Sequence, residues 1–155
     1  MSTDEQQDAL FDAKFEELYD ASGQPAELDE AFLTRLYATV AADSDAAGDE
    51  SNTYAPHVTK LNIVKNDNSP LVNAVIGDKK LKFVIDTRAA TADIGGLSQT
   101  FGAIETGVPY SYKVTNVKGF VHVSIKKSIL KRVEFVSYLP HKLPNQNGSG
   151  KWEKI

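Results

Sequence analysis

The sequence predicts an α+β chain in which an acidic helical hairpin precedes a small, mostly antiparallel, barrel-like β domain. Three observations lead there. Apolar residues recur at helical spacing through the first 42 residues; residues 43–55 are small, acidic and without period; from residue 58 the apolar period drops to two. At 155 residues, with 41% apolar and 25% charged side chains, the chain has the size of one domain with an appendage.

The first helix is expected within residues 4–20, where Leu10, Phe11, Phe15, Leu18 and Tyr19 form one apolar stripe. Gly23 is placed to stop it, and Pro25 to open a second helix, because a first helical turn has no use for the missing N–H. That second stretch, 26–42, sets Leu28, Phe32, Leu33, Leu36, Tyr37 and Val40 on one face. The two stripes are expected to close on each other or on the β domain, with a partner helix as the other possible cover. Residues 43–55 read as a linker.

Strands are expected around Val58–Val64, over 71–77 and 81–86 with a Gly77-Asp78 turn between them, and over 109–117, 119–125 and 129–138. Residues 91–103 are Gly-rich and leave room for one short helical turn. The end, 143–155, carries Pro144, Gly148 and Gly150 and reads as an irregular tail, so that the β domain spans 56–142. No internal repeat stands out.

Charge is divided sharply. Residues 1–53 carry a net charge of −12 and residues 54–155 a net charge of +8. Such asymmetry suggests a tail or an acidic partner for the basic domain, or else two solvated surfaces that never meet, since exposed charges further apart than ~8 Å are largely screened at physiological salt. Without cysteine there are no disulfides and no thiolate metal sites. His57, His122 and His141 are widely separated, and none has a metal-ligand neighbour at the usual spacing, so no metal or other cofactor is implied. No apolar run approaches the ~18 residues of a membrane helix, so no membrane partner is expected. The acidic, polar first residues do not resemble a secretory signal, and an intracellular location, cytoplasmic or inside a virus-like particle, is the expectation.

The stretch 70–91 runs from a strand through a glycine turn into a second strand that ends in Asp86-Thr87-Arg88-Ala89. Pro70, Leu71, Val72, Ile76, Gly77, Leu81 and Lys82 precede those residues at matching intervals, and 119–130 follows with Gly119-Phe120 and a strand. This resembles the retropepsins, the aspartic proteases of retroviruses and LTR retrotransposons, over about 40 of their usual ~100 residues. The resemblance implies a retropepsin-like β domain and an endopeptidase of a retroelement-type polyprotein, working as a homodimer on a polypeptide substrate. Asp86 of each chain would share a proton across a water, since two like charges that close cannot both ionise. Thr87 would brace the loop, Ala89 would pack behind it, and Gly119 and Phe120 would form a flap tip over the substrate.

The family has glycine where this chain has Arg88. An Arg from each protomer would crowd the cleft and favour two ionised carboxylates over a shared proton. The resemblance therefore implies an impaired or inactive enzyme. The tail also lacks the family's Ile-Leu-Gly segment, which leads into its dimer sheet.

Two further functions fit the sequence. Lys118, Lys126, Lys127, Lys131 and Arg132 lie among Tyr110, Tyr112, Phe120, Phe135 and Tyr138, a composition suited either to single-stranded nucleic acid through phosphate neutralisation and base stacking, or to a sheet whose alternate aromatics fill the core and whose lysines keep it soluble. In the first case the acidic first part would be a regulatory arm competing for the same face. Alternatively, the helical hairpin is an assembly module of a structural protein in a virus-like particle.

Overall fold

A computed structural model describes residues 4–42, 57–63, 72–76, 79–85, 94–101, 104–128, 131–141 and 145–154. Two helices, α1 (Asp4–Ala21) and α2 (Glu30–Ala42), precede eight strands. The strands are β1 (His57–Ile63), β2 (Val72–Ile76), β3 (Lys79–Ile85), β4 (Ile94–Phe101), β5 (Pro109–Val117), β6 (Phe120–Ser128), β7 (Lys131–Pro140) and β8 (Gln146–Lys154). The expected α+β class with a barrel-like sheet is what forms. The linker expected over 43–55 lies outside the described residues.

The helix boundaries follow local chemistry. Gly23, at φ +81°, ends α1, and the Gln24 N–H donates to the Tyr19 carbonyl as the chain turns away. The second helix starts at Glu30 rather than beside Pro25. The reason is Asp29, whose Oδ1 accepts from the Phe32 N–H at 2.8 Å and satisfies a first-turn donor. Just before that cap, the Leu28 N–H donates to the Tyr138 carbonyl at 2.8 Å and ties the hairpin to β7.

The strands close in the order β1-β2-β3-β8-β5-β6-β7-β4, with every neighbouring pair antiparallel. Read from β4, the circle is two units of the same connectivity: β4-β1-β2-β3 and β8-β5-β6-β7. Each is a three-strand meander whose fourth strand returns beside the first, the Greek-key order. The fourth strand of each unit also pairs with the third strand of the other, and this closes the barrel.

Two expectations are corrected here. Residues 94–101 form a strand, not a helical turn, and residues 146–154 form a strand rather than an irregular tail. Both strands approach an aromatic ring through a glycine. A Cβ on Gly96 would collide with the Val136 carbonyl oxygen and the Phe135 ring, and a Cβ on Gly150 with the Val84 carbonyl oxygen and the Phe83 ring. The spacing is the same at both seams: Gly96 lies opposite Ser137, two residues past Phe135, and Gly150 lies opposite Ile85, two residues past Phe83.

Two apolar cores result. Inside the barrel lie Leu81, Phe83, Ile94, Tyr110, Tyr112, Val114, Val121, Val123, Ile125, Val133, Phe135 and Trp152. Outside it, Phe11 and Phe15 of α1 and Phe32, Leu33, Leu36, Tyr37 and Val40 of α2 pack with Leu97, Val117, Phe120 and Val136. The helical stripes thus close on each other and on the barrel at once. Each such buried side chain contributes about 1.5–3 kcal/mol.

Gly150→Val is expected to destabilise the chain by at least 1–3 kcal/mol, roughly the cost of overpacking, because the β3–β8 seam has no space for a side chain. Lys151→Val, at an exposed neighbouring position, should change little. Urea or thermal unfolding of the two variants makes the comparison.

Candidate functional site

Strand alternation turns one residue in two outward. With Tyr112, Val123, Ile125, Val133 and Phe135 inside, the pairing register lines up two outward rows across adjacent strands. One row runs Asn147–Lys113–Ser124–Glu134–Gln99, through β8, β5, β6, β7 and β4. The next runs Ser149–Ser111–Lys126–Arg132, through β8, β5, β6 and β7. The β8 and β5 ends of both rows are exposed. Toward β7 and β4 the rows pass into the interior, with Gln99, Ser124, Arg132 and Glu134 buried.

The covered part is a charged network. Glu134 Oε2 stands 2.6 Å from His122 Nε2, and Glu134 Oε1 accepts from the Ser124 hydroxyl at 3.0 Å. Arg132 Nε lies 3.6 Å from Glu134 Oε1. Desolvation works to raise the Glu134 carboxyl, but the charge and hydrogen bond of His122, with Arg132 and Lys126, hold it below the usual carboxylate range. The Phe11 ring lies flat on His122, centroids 4.0 Å apart at 4°. The Tyr37 hydroxyl donates to the Leu97 carbonyl at 2.6 Å, and burial, then the nearby Glu134 charge, pushes its phenol well above its ordinary value.

Ser124, His122 and Glu134 are not arranged for nucleophilic catalysis. The hydroxyl donates to the carboxylate, and the imidazole meets the other carboxylate oxygen. A nucleophile needs its hydroxyl on the base.

Helix α1 meets this face with acids. Asp8, Asp12 and Glu16 follow at intervals of four, which places them on one side of the helix about 6 Å apart along its axis. Asp8 Oδ1 is 2.7 Å from Lys126 Nζ, and Asp8 Oδ2 is 3.4 Å from Lys113 Nζ. Glu16 Oε1 is 3.8 Å from Lys118 Nζ. Desolvation would raise the Asp8 carboxyl; Lys126, Lys113 and His122 together bring it below its usual value. Asp12 moves the other way, raised by desolvation and by Asp8 and Glu16 against the pull of His122 and Lys113. The acidic and basic parts of the chain therefore meet directly.

The residues expected from the sequence fall differently. Asp86, Thr87, Arg88 and Ala89 follow β3 and lie outside the described residues. Gly119 sits in the two-residue turn between β5 and β6, where Lys118 (φ +53°) and Gly119 (φ +89°) give the hairpin its tight reversal. Phe120 is fully buried, with ring centroids 6.0 Å from Phe15 and 5.8 Å from Tyr19, so it is packed beneath the helices rather than presented at a tip. Tyr110, Tyr112, Phe120 and Phe135 are all buried, which removes them as stacking surfaces. Of the expected cations, Lys118 and Lys126 join the acidic helix, while Lys127 and Lys131 pair with Glu105 elsewhere. Asp8, Lys113 and the His122–Glu134 pair were not singled out by sequence, because their proximity depends on strand register and helix docking. The interval of four between Asp8, Asp12 and Glu16 was the one visible signal.

No protein-family model, curated protein or solved structure matches this chain. No helix among the described residues is long and apolar enough to cross a membrane. Among the described residues, no group of three or more potential metal ligands gathers.

Glu134→Ala is expected to cost about 3–5 kcal/mol in urea unfolding, the usual loss when one partner of a buried charged pair is removed. Glu134→Gln, which keeps two polar atoms, should cost less. Acid should also release α1. The lowered carboxyls of Asp8 and Glu134 contribute stability above their unfolded values and lose it as pH falls through their folded ones. Asp12 has the opposite sign, its contribution being present at low pH and fading as pH rises through its raised value. Docking should therefore persist through the ordinary carboxylate range and fail below it, as followed by NMR shifts of α1.

Proposed function

We propose that the basic outer face of the barrel binds single-stranded nucleic acid through its phosphates, and that α1 is a tethered regulatory arm occupying part of that face. The observation that carries this reading is the line of carboxylates at Asp8, Asp12 and Glu16 laid against Lys113, Lys126, His122 and Lys118. One line of negative charges at regular intervals is what a single strand offers, whereas a duplex offers two. The ligand would exchange with the helix for the same cations.

Recognition of this kind is electrostatic. The aromatic residues that could have stacked on bases fill the two cores, so little base preference is expected. With three lysines engaged, log K should fall with log salt at a slope of about −2.

The test keeps the chain whole, because removing the helices would expose Leu97, Val117, Phe120 and Val136. Asp8→Asn, Asp12→Asn and Glu16→Gln together should raise oligonucleotide affinity roughly tenfold or more at low salt. A control of Glu17→Gln, Asp20→Asn and Glu27→Gln changes net charge equally away from the face and should raise it far less. Equal effects from the two triple variants, or binding insensitive to salt, would remove the proposal. Fluorescence anisotropy with a labelled oligonucleotide at several salt concentrations gives both readings.

A further inference from the structure

Beside the first contact of α1 the barrel face is open. A cleft of about 390 Å³ is lined by Asp8, Ser111, Lys113, Lys126, Asn147 and Gly148, among others. Its walls are the exposed ends of the two outward rows, so it is placed by β5, β6 and β8 and only edged by the helix.

The cations in it are unequally committed. The Lys126 side chain is 10% exposed and holds Asp8 at 2.7 Å, a full charge-assisted contact. The Lys113 side chain is 53% exposed and stands 3.4 Å from the other Asp8 oxygen, longer than such a contact prefers. Lys113 can turn to a second anion without giving up a strong bond. The exposed Asn147, opposite Lys113 in the register, adds an amide donor beside it. Gly148, next along β8, lends backbone to the wall, while its missing side chain faces the Tyr112 ring inside the barrel. The Ser111 hydroxyl donates to the Lys126 carbonyl at 3.3 Å, so its proton is already engaged. The donors are thus two ammonium groups and one amide, a set suited to a tetrahedral oxyanion.

We infer that this cleft is a phosphate site, at which one phosphate group binds Lys113 and Asn147 first and then displaces the Asp8 carboxylate from Lys126. This rests on the nucleic-acid reading and deepens it. The cleft would be the toehold from which a strand exchanges with the arm one charge at a time, and an isolated phosphate would enter without moving the rest of α1. No bond is made or broken; one carboxylate leaves two ammonium groups and one phosphate replaces it.

The experiment titrates the full chain with inorganic phosphate and with a 5′-phosphorylated dinucleotide, using the unphosphorylated dinucleoside monophosphate for comparison. Amide and lysine NMR signals report the site. Shifts should concentrate at Lys113, Lys126 and Asn147, and Asp8→Asn should tighten phosphate about tenfold. Lys113→Met should weaken it by a similar factor, and because that side chain is half exposed the variant keeps the test valid if Asp8→Asn does not fold. Stronger binding of the 5′-phosphorylated dinucleotide than of inorganic phosphate would assign the site to a strand; equal binding would assign it to free phosphate. Shifts spread evenly over surface lysines, or phosphate affinity unchanged by both variants, would overturn the inference. If that happens while the triple acid variant still gains oligonucleotide affinity, the toehold fails and the nucleic-acid reading stands. If phosphate binds in the cleft and oligonucleotides do not respond to the triple variant, the reverse holds.

Discussion

The polar face exists because the barrel closes in one register, and that register depends on two places where backbone comes up against an aromatic ring. Gly96 lies under Phe135 and Gly150 under Phe83, each two residues out of step with its ring. At the β3–β8 seam a slip of one residue either way would put Ser149 or Lys151 into a carbonyl oxygen, and a slip at either seam would turn every neighbouring residue to the other surface. The β4–β7 seam sets Glu134 opposite Gln99, and the β6–β7 and β5–β6 pairings extend that row to Ser124 and Lys113 and place Lys126 opposite Arg132. The fold therefore specifies the charge pattern through packing rather than through attraction between the charges.

What covers that pattern is unusual for a helix-on-barrel contact. An apolar cover would have been cheaper, since a buried carboxylate with its partners gains little or nothing over well-packed hydrocarbon. Here the apolar contacts are concentrated toward the hairpin end of α1, at Phe15 and Tyr19 on Phe120, while the first half meets the barrel through Asp8, Asp12 and the stacked Phe11. The clasp at Phe15 and α2 does not depend on salt; the charged half does. A helix held so differently along its length can loosen at one end while the other stays seated. That is the physical basis for reading its acidic half as exchangeable.

The six strands expected from period-two spacing all form, but burial does not alternate in all of them: β6 and β7 are buried on both faces over most of their length, and their β-branched and aromatic residues made them legible instead. In β5 the burial alternates cleanly over Tyr110, Tyr112 and Val114, and the strand was legible. The two missed strands fail that condition for opposite reasons. Residues 97–100 of β4 are buried on both faces, by the barrel core on one side and the helices on the other, so no alternation exists to be read. In β8 the inward positions include Gly148 and Gly150, because the rings of Tyr112 and Phe83 already fill the space a side chain would need. Such a strand has the composition of a loop. The candidate site was less legible still. Its lysines were visible as a basic cluster, but the carboxylates that meet them come from a helix more than 90 residues away in sequence.

The final strand also bears on how the retropepsin resemblance can be used. That resemblance calls for a chain end free to build a sheet between two protomers. Here β8 is spent within its own chain, paired on one side with β3 and on the other with β5. Withdrawing it would break both seams that Phe83 and Tyr112 support and leave two strand edges unpaired. Phe120, the residue a flap would present, is likewise held under Phe15 and Tyr19. The β2–β3 ribbon forms as an antiparallel pair, but β8 closes the barrel within one chain, and the polar outer face of that barrel lies under α1. The acidic arm lying on that surface is the part of the chain whose chemistry most closely imitates a ligand.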